Sequence, residues 1–237
     1  MSYMSHLAYF ASLSADARDS TSTTRSKALG VVGDLLEIAM GNKHAEIVSL
    51  AMVLQLHELV RNGIWKEVSE VLGKVEEHLY IAATIEAAAK SGCPSTPTKG
   101  EPNAACVIGS TNLQKVLIVH VLIIGTLFYT YIGDGANAQS RMRKLHDMLD
   151  GGALDAFGKA GIVKVDFPDS SSSSLEIQVT HPRVIFSLGF LVSSTAKRDP
   201  VGRKPKRRLF AQEGVMSVDK ELRIEPSCMR HFVRLGR

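Results

Sequence analysis

Apolar residues recur three and four positions apart along the first third of the chain, and that spacing predicts amphipathic helices. Ser26–Met40 places Leu29, Val32, Leu36, Ala39 and Met40 on one stripe, and Gly41-Asn42 is expected to stop it by taking the left-handed conformation. Ala45–Arg61 follows, with Ile47, Leu50, Ala51, Leu54, Leu59 and Val60, and closes on Asn62-Gly63. Trp65–Leu79 carries Val68, Val71, Leu72, Val75 and Leu79 along a third stripe. The expected unit is a helix, a short glycine turn and an antiparallel helix, with one pair meeting across Gly63. Residues 1–24 run into the Ser/Thr-rich DSTSTTRS and are expected to be a flexible leader.

The pattern breaks at residues 91–112, whose three prolines and three glycines no helix interior accepts, so a long Pro/Gly-rich loop is expected there. It resumes as a helix from about Leu113 to Ile132, a turn at Gly133–Gly135 and a helix from Ala136 to Leu149. Ile47–Leu79 and Val116–Leu149 read as two loose copies about 70 residues apart, roughly twice the period of a tetratricopeptide hairpin. Beyond Gly152, Ile162–Phe167 and Leu175–Val179 alternate apolar and polar residues around PDSSSSS, as two half-buried strands of a hairpin do. Val184–Ala196 reads as a further buried helix begun near Pro182, Leu209–Leu222 as the last helix, and 223–237 as an irregular tail. The fold class is therefore mainly α. Helical repeats over 25–90 and 113–222 form antiparallel hairpins of a TPR-like α-solenoid, with a small β-hairpin inserted near 162–179.

Val116–Ile132 is seventeen residues without a formal charge, just short of the usual spanning length. It reads as a buried core helix, and a membrane span is the competing reading. The chain carries 28 Lys and Arg against 24 Asp and Glu, a formal net charge of +4. That average hides an asymmetry: residues 197–237 are net +7 and residues 1–196 net −3. Such a basic tail suggests an anionic partner or an import receptor.

Seven Lys or Arg fall within Lys197–Arg208, opposed only by Asp199. Lys197, Arg198, Arg203, Lys204, Lys206, Arg207 and Arg208 are the candidate site. Pro200 and Pro205 are expected to hold this basic loop extended, as an import receptor reads such strands, and phosphate contacts to nucleic acid fit the same charges. A solvated loop is the bland alternative.

Little else in the sequence carries chemistry. Cys93, Cys106 and Cys228 form no metal-binding or disulfide spacing. Gly133–Ala138 fits G-x-G-x-x-A, but that fingerprint needs a strand before it, and here a helix-length apolar segment precedes it. His44, His57, His78, His120 and His181 are scattered one per element and read as structural or surface histidines rather than metal ligands. His146, Asp147 and Asp150 read as a charged helix face. Ser187, Ser193 and Ser194 lack a nucleophile-elbow context. No catalytic residue, cofactor, metal or small-molecule substrate is expected.

Three stretches in this order resemble a known family: AEIVSLAMVLQLHELVRNGIWKEVSEVLGKVEEHL, LIVHVLIIGTLFYTYIGDGANAQSRMRKLHDMLDGGALDAF and IQVTHPRVIFSLGFLVSSTAKRDPVGRKPKRRLF. They look like the fungal branch of the cohesin-loading-factor family, over roughly residues 25–222, as the middle of a longer member. The resemblance implies a non-enzymatic nuclear adaptor supporting sister chromatid cohesion. Its tetratricopeptide array would bind the large HEAT-repeat cohesin loader subunit, with any chromatin or DNA contact indirect. The helical middle region of a fungal transcription regulator is the alternative, alongside a membrane-associated protein that uses 116–132 as a span.

Overall fold

The computed structural model describes residues 3–15, 22–90, 111–167, 174–197 and 206–224. Among them are nine α-helices and one two-stranded antiparallel sheet. The helices are α1 Tyr3–Ala15, α2 Ser22–Gly41, α3 Ala45–Arg61, α4 Trp65–His78, α5 Ile81–Lys90, α6 Asn112–Tyr131, α7 Gly135–Asp150, α8 Pro182–Ala196 and α9 Lys206–Ile224. A 3-10 turn at Ala153–Phe157 follows α7, and the strands are β1 Ile162–Asp166 and β2 Ser174–Gln178. The mainly helical class and the inserted hairpin both agree with the sequence pattern. The Pro/Gly-rich loop at 91–110, the serine run and residues 225–237 lie outside the described residues, as do all three cysteines.

The chain divides into two compact units, each assembled from pieces distant in sequence. The first takes in Met1–Val75, Lys164–Ile177 and Met216–Arg237. Its closest helix pair is α2 with α3, and α1 packs on α2. Within the leader expected at 1–24, Tyr3–Ala15 is helical, with Tyr3, Leu7, Phe10 and Leu13 at helical spacing and partly covered, while residues 16–21 lie outside the described residues. The pair expected across Gly63 is corrected too: α3 approaches α2 more closely than it approaches α4. Buried positions on α2 and α3 mix small residues, Ala28, Ala39, Ser49 and Ala51, with larger ones such as Leu35, Ile47 and Leu56. On α4 the buried positions are Val68, Leu72, Val75 and Glu76.

The turns share one solution to helix termination. The left-handed residue is Lys43 after α2, Gly63 after α3, Tyr80 after α4 and Gly133 after α6. Gly41 itself stays helical, so Lys43, rather than the expected Gly41-Asn42, carries the strain of positive φ after α2. The amide of His44 then donates to Ala39 O and that of Ile64 to Leu59 O, both at 3.0 Å, so carbonyls that each helix end would leave orphaned are satisfied.

The second unit takes in Glu76–Val163 and Gln178–Val215, and α6 runs through its core. A capping box starts α6: Gln114 N donates to Thr111 Oγ1, and Thr111 N to Gln114 Oε1. Helix α7 folds back against α6 across residues 132–134 in the most extensive helix–helix contact among the described residues, and α8 and the 3-10 turn also pack on α6. Residues 121–126 are buried consecutively, so the middle of α6 is enclosed all round. Helix α6 is long and apolar enough to cross a membrane, and 61% of its most apolar window lies inside the fold. In the hairpin, Val163, Val165 and Leu175 are buried while Lys164 and Glu176 pair at 3.2 Å on the exposed face.

Candidate functional site

The structure distributes the candidate cations over different settings. Lys197 caps the C-terminus of α8 in an extended conformation, half-buried, its amide donating to Ser193 O. Arg198, Arg203 and Lys204 lie outside the described residues. Lys206, Arg207 and Arg208 form the first turn of α9, all exposed. The expectation of an extended strand through Arg208 therefore gives way to a helix three residues before Leu209. A proline just ahead of a helix costs it no hydrogen bond, so Pro205 in the sequence marks where a helix can begin. No acidic residue shares that first turn. Three cations at the positive end of the macrodipole are unfavourable for the helix itself.

Helix α9 carries these charges on a surface anchored from its other side. Phe210 stacks 5.5 Å from His146 of α7 and 6.4 Å from Phe190 of α8. Gly214 is buried where a Cβ would stand 3.2 Å from Phe190 Cβ, so the glycine permits the close approach to α8. Away from these contacts Leu209 and Val215 are 55% and 63% exposed.

The other polar residues with chemical potential are engaged internally. The Ser193 hydroxyl donates to Gly189 O at 2.6 Å, so His146 Nε2, also 2.6 Å from that oxygen, must be the donor in its bond. A hydroxyl that donates elsewhere and has no exposed surface is not a nucleophile held by a base. Burial lowers the His146 pKa, Asp150 and Asp147 oppose this from its own helix, and Lys197 adds to the lowering. His120 lies within α6 between Val116 O at 2.8 Å and Thr180 Oγ1 at 3.1 Å. Its Nδ1 donates to the carbonyl and its Nε2 accepts from the hydroxyl, the arrangement of a neutral ring. Burial lowers its pKa, only partly offset by the Val116 carbonyl.

The most elaborate polar cluster joins α4, α6 and α7. Arg141 Nε and Nη2 donate to Glu76 Oε1 and Oε2, each at 2.6 Å, and Nη1 donates to Asn137 Oδ1 at 2.9 Å. The guanidinium lies 4.0 Å from the Tyr129 ring centroid. Burial works against the Arg141 charge, but the Glu76 carboxylate outweighs it, and the pKa rises. A Cβ on Gly125 of α6 would meet Arg141 Cδ at 3.0 Å and Glu76 Oε1 at 3.2 Å, so a glycine makes room for the pair. Sequence reasoning missed this cluster, although a signal existed. Glu76 falls four after Leu72, and Arg141 falls between Ala138 and Leu145, so each charge interrupts a buried stripe.

Within Gly133–Ala138, Gly133 is the left-handed residue of the interhelical turn, Asp134 caps α7 by accepting from Asn137 N, and Gly135–Ala138 form the first turn of that helix. With α6 in front of it, the strand that a dinucleotide fingerprint needs is replaced by a helix. No group of His, Cys, Asp or Glu suited to a metal ion occurs among the described residues. No family model, curated protein or solved structure matches this chain.

Proposed function

We propose that the chain is a non-enzymatic, TPR-like helical adaptor of the cohesin-loading type, acting in the nucleus by holding a segment of the large HEAT-repeat loader subunit. The observation that carries this reading is the pair of tightly packed helical hairpins, α2 with α3 and α6 with α7, each closed by a three-residue turn. Hairpins of this kind are the units from which tetratricopeptide arrays are stacked. The internal engagement of His120, His146, Ser193, Glu76 and Arg141 supports a scaffold, since these groups hold helices together. The resemblance of residues 25–222 to cohesin-loading factors supplies the partner.

Co-expression of the full chain with the N-terminal segment of the large loader tests the reading. A complex that survives size exclusion is the expected result, and two separate elution peaks overturn it. Within this proposal the basic stretch carries nuclear import. Changing Arg203, Lys204, Lys206, Arg207 and Arg208 together to Ala should move the protein to the cytoplasm while leaving loader binding intact. Unchanged nuclear accumulation without the loader refutes the import role.

A further inference from the structure

One imidazole ties three helices together. His146 belongs to α7, its Nε2 donates to Ser193 Oγ of α8 at 2.6 Å, and its ring lies 5.5 Å from Phe210 of α9. The seat of α9 is thin. Among residues 206–220 only Gly214 is buried, and Phe210 is half-buried against α7 and α8. We propose that His146 is the proton-sensitive catch of a latch: the neutral ring seats Phe210 and holds the start of α9 on α7 and α8, and the protonated ring leaves Ser193 for Asp150 and lets Phe210 go. This movement lies within the chain and does not depend on the adaptor reading.

The charges around the ring give the latch its direction. Nε2 already carries a hydrogen, so an added proton goes to Nδ1, which bonds to no acceptor among the described residues. Asp150, four residues on, shares a helical face with His146, and Asp147 follows it directly; both are exposed and both favour a charged ring. Lys197 at the end of α8 disfavours that charge, and burial disfavours it more. Helix α9 brings Lys206 and Arg207 about a turn before Phe210 and Glu213 a turn after it. An imidazolium is therefore costly where the neutral ring sits and is drawn to the exposed carboxylates of its own helix. Swinging outward breaks the bond to Ser193, whose hydroxyl still donates to Gly189 O, and withdraws the ring on which Phe210 rests. Phe210 then keeps only the longer contact with Phe190, 6.4 Å between centroids, of its two ring contacts. Opening bares Phe190 beside Phe186, which is already 41% exposed. The sign follows from linkage. Closure lowers the His146 pKa below the ordinary 6.5, so the closed form is fully favoured above about pH 6.5. It loses ground as pH falls towards the lowered value, by up to about tenfold per pH unit.

The test places 4-fluorophenylalanine at position 210 of the full chain and follows its fluorine resonance from about pH 7.5 to about pH 5. The His146 ring proton and helical circular dichroism are read on the same samples. The fluorine resonance should shift with the midpoint of the His146 titration while the helical signal holds. His146→Gln keeps an amide donor for Ser193 and cannot titrate, so the shift should vanish there. Asp150→Asn should move the midpoint to lower pH, and Lys197→Gln should move it to higher pH. A fluorine resonance that stays in place while His146 titrates overturns the latch. So does a shift that persists in His146→Gln, or one that coincides with loss of helical signal and so reports unfolding. Midpoints that ignore both charge substitutions overturn the exchange of Ser193 for Asp150, and the latch with it. Should His146→Gln fail to fold, the midpoints of Asp150→Asn and Lys197→Gln decide alone.

Discussion

Removing Arg141 alone should damage the fold more than removing Arg141 and Glu76 together. The side chains of the pair are 7% and 4% exposed, so neither charge has water to fall back on. Arg141→Met leaves the Glu76 carboxylate buried without its two guanidinium donors, and breaking such a pair typically costs about 3–5 kcal/mol. The lost contact with the Tyr129 face adds about 0.5–2 kcal/mol to what the arginine supplies. Glu76→Leu, the other single change, strands the guanidinium in the same way. With both changed, no unpaired charge remains, and a well-packed apolar replacement is commonly neutral or better. The double variant should therefore be more stable than either single one. Urea unfolding followed by helical circular dichroism checks this. The fluorescence of Trp65, the one tryptophan and a residue of α4 like Glu76, reports the same event independently. At about 2–4 °C per kcal/mol for a chain of this size, each single variant should melt about 6–20 °C lower. Single variants within about 1 kcal/mol of the parent, or a double variant whose loss is the sum of the two, would refute the reasoning.

Gly125→Ala should destabilise the parent chain, since its Cβ would press on Arg141 Cδ and Glu76 Oε1, but should stabilise a background carrying Arg141→Ala and Glu76→Ala, where both atoms are gone, by up to about 1 kcal/mol of helix propensity. The same unfolding assay decides the sign in each background. Acid should weaken the second unit through His120 and His146. Both have folded pKa values below the ordinary 6.5, so the unfolded chain binds protons first, and stability is lost as pH falls from about 6.5 towards the lowered values. Imidazole resonances titrating at or above 6.5 would contradict this. Gly158→Ala should cost more than about 1 kcal/mol, because φ is +65° there and a Cβ would stand 2.8 Å from Ile162 O. A melting temperature equal to the parent's would count against that strain.

Helix positions were legible because burial imposes a 3.6-residue period on the side chains. Thus α3, α4, α6 and α7 lie within a few residues of where their apolar stripes place them. The hairpin was legible for the matching reason, a period of two around a serine run. Other features were hidden. Helix α1 has a weaker stripe diluted by serines, and its packing on α2 is not visible locally. Which helix packs most extensively on α3 depends on residues of α2 earlier in the chain, and adjacency across Gly63 does not reveal it. Glu76 and Arg141 are 65 residues apart, and no local pattern couples them. The basic stretch shows how composition misleads: charge and proline imply an extended strand, whereas Lys206–Arg208 belong to a helix that packs through Phe210 and Gly214 further along.

The ring cluster at the start of the chain bears on the order in which the protein can mature. Tyr3 stacks on Phe167 at 5.8 Å, His44 lies 5.0 Å from the same ring, and the Tyr3 hydroxyl bonds to His44 Nδ1 at 2.8 Å while accepting from Asn42. During synthesis the first helix leaves the ribosome long before Phe167 is made. At about 5–20 residues per second it waits on the order of ten to thirty seconds for the ring that completes its seat. Throughout that interval α1 lacks the Phe167 ring and rests on earlier contacts, those with α2 and the 42–44 turn among them. A nascent chain stalled before Phe167 should therefore leave Tyr3–Ala15 open to protease, and one released beyond it should not.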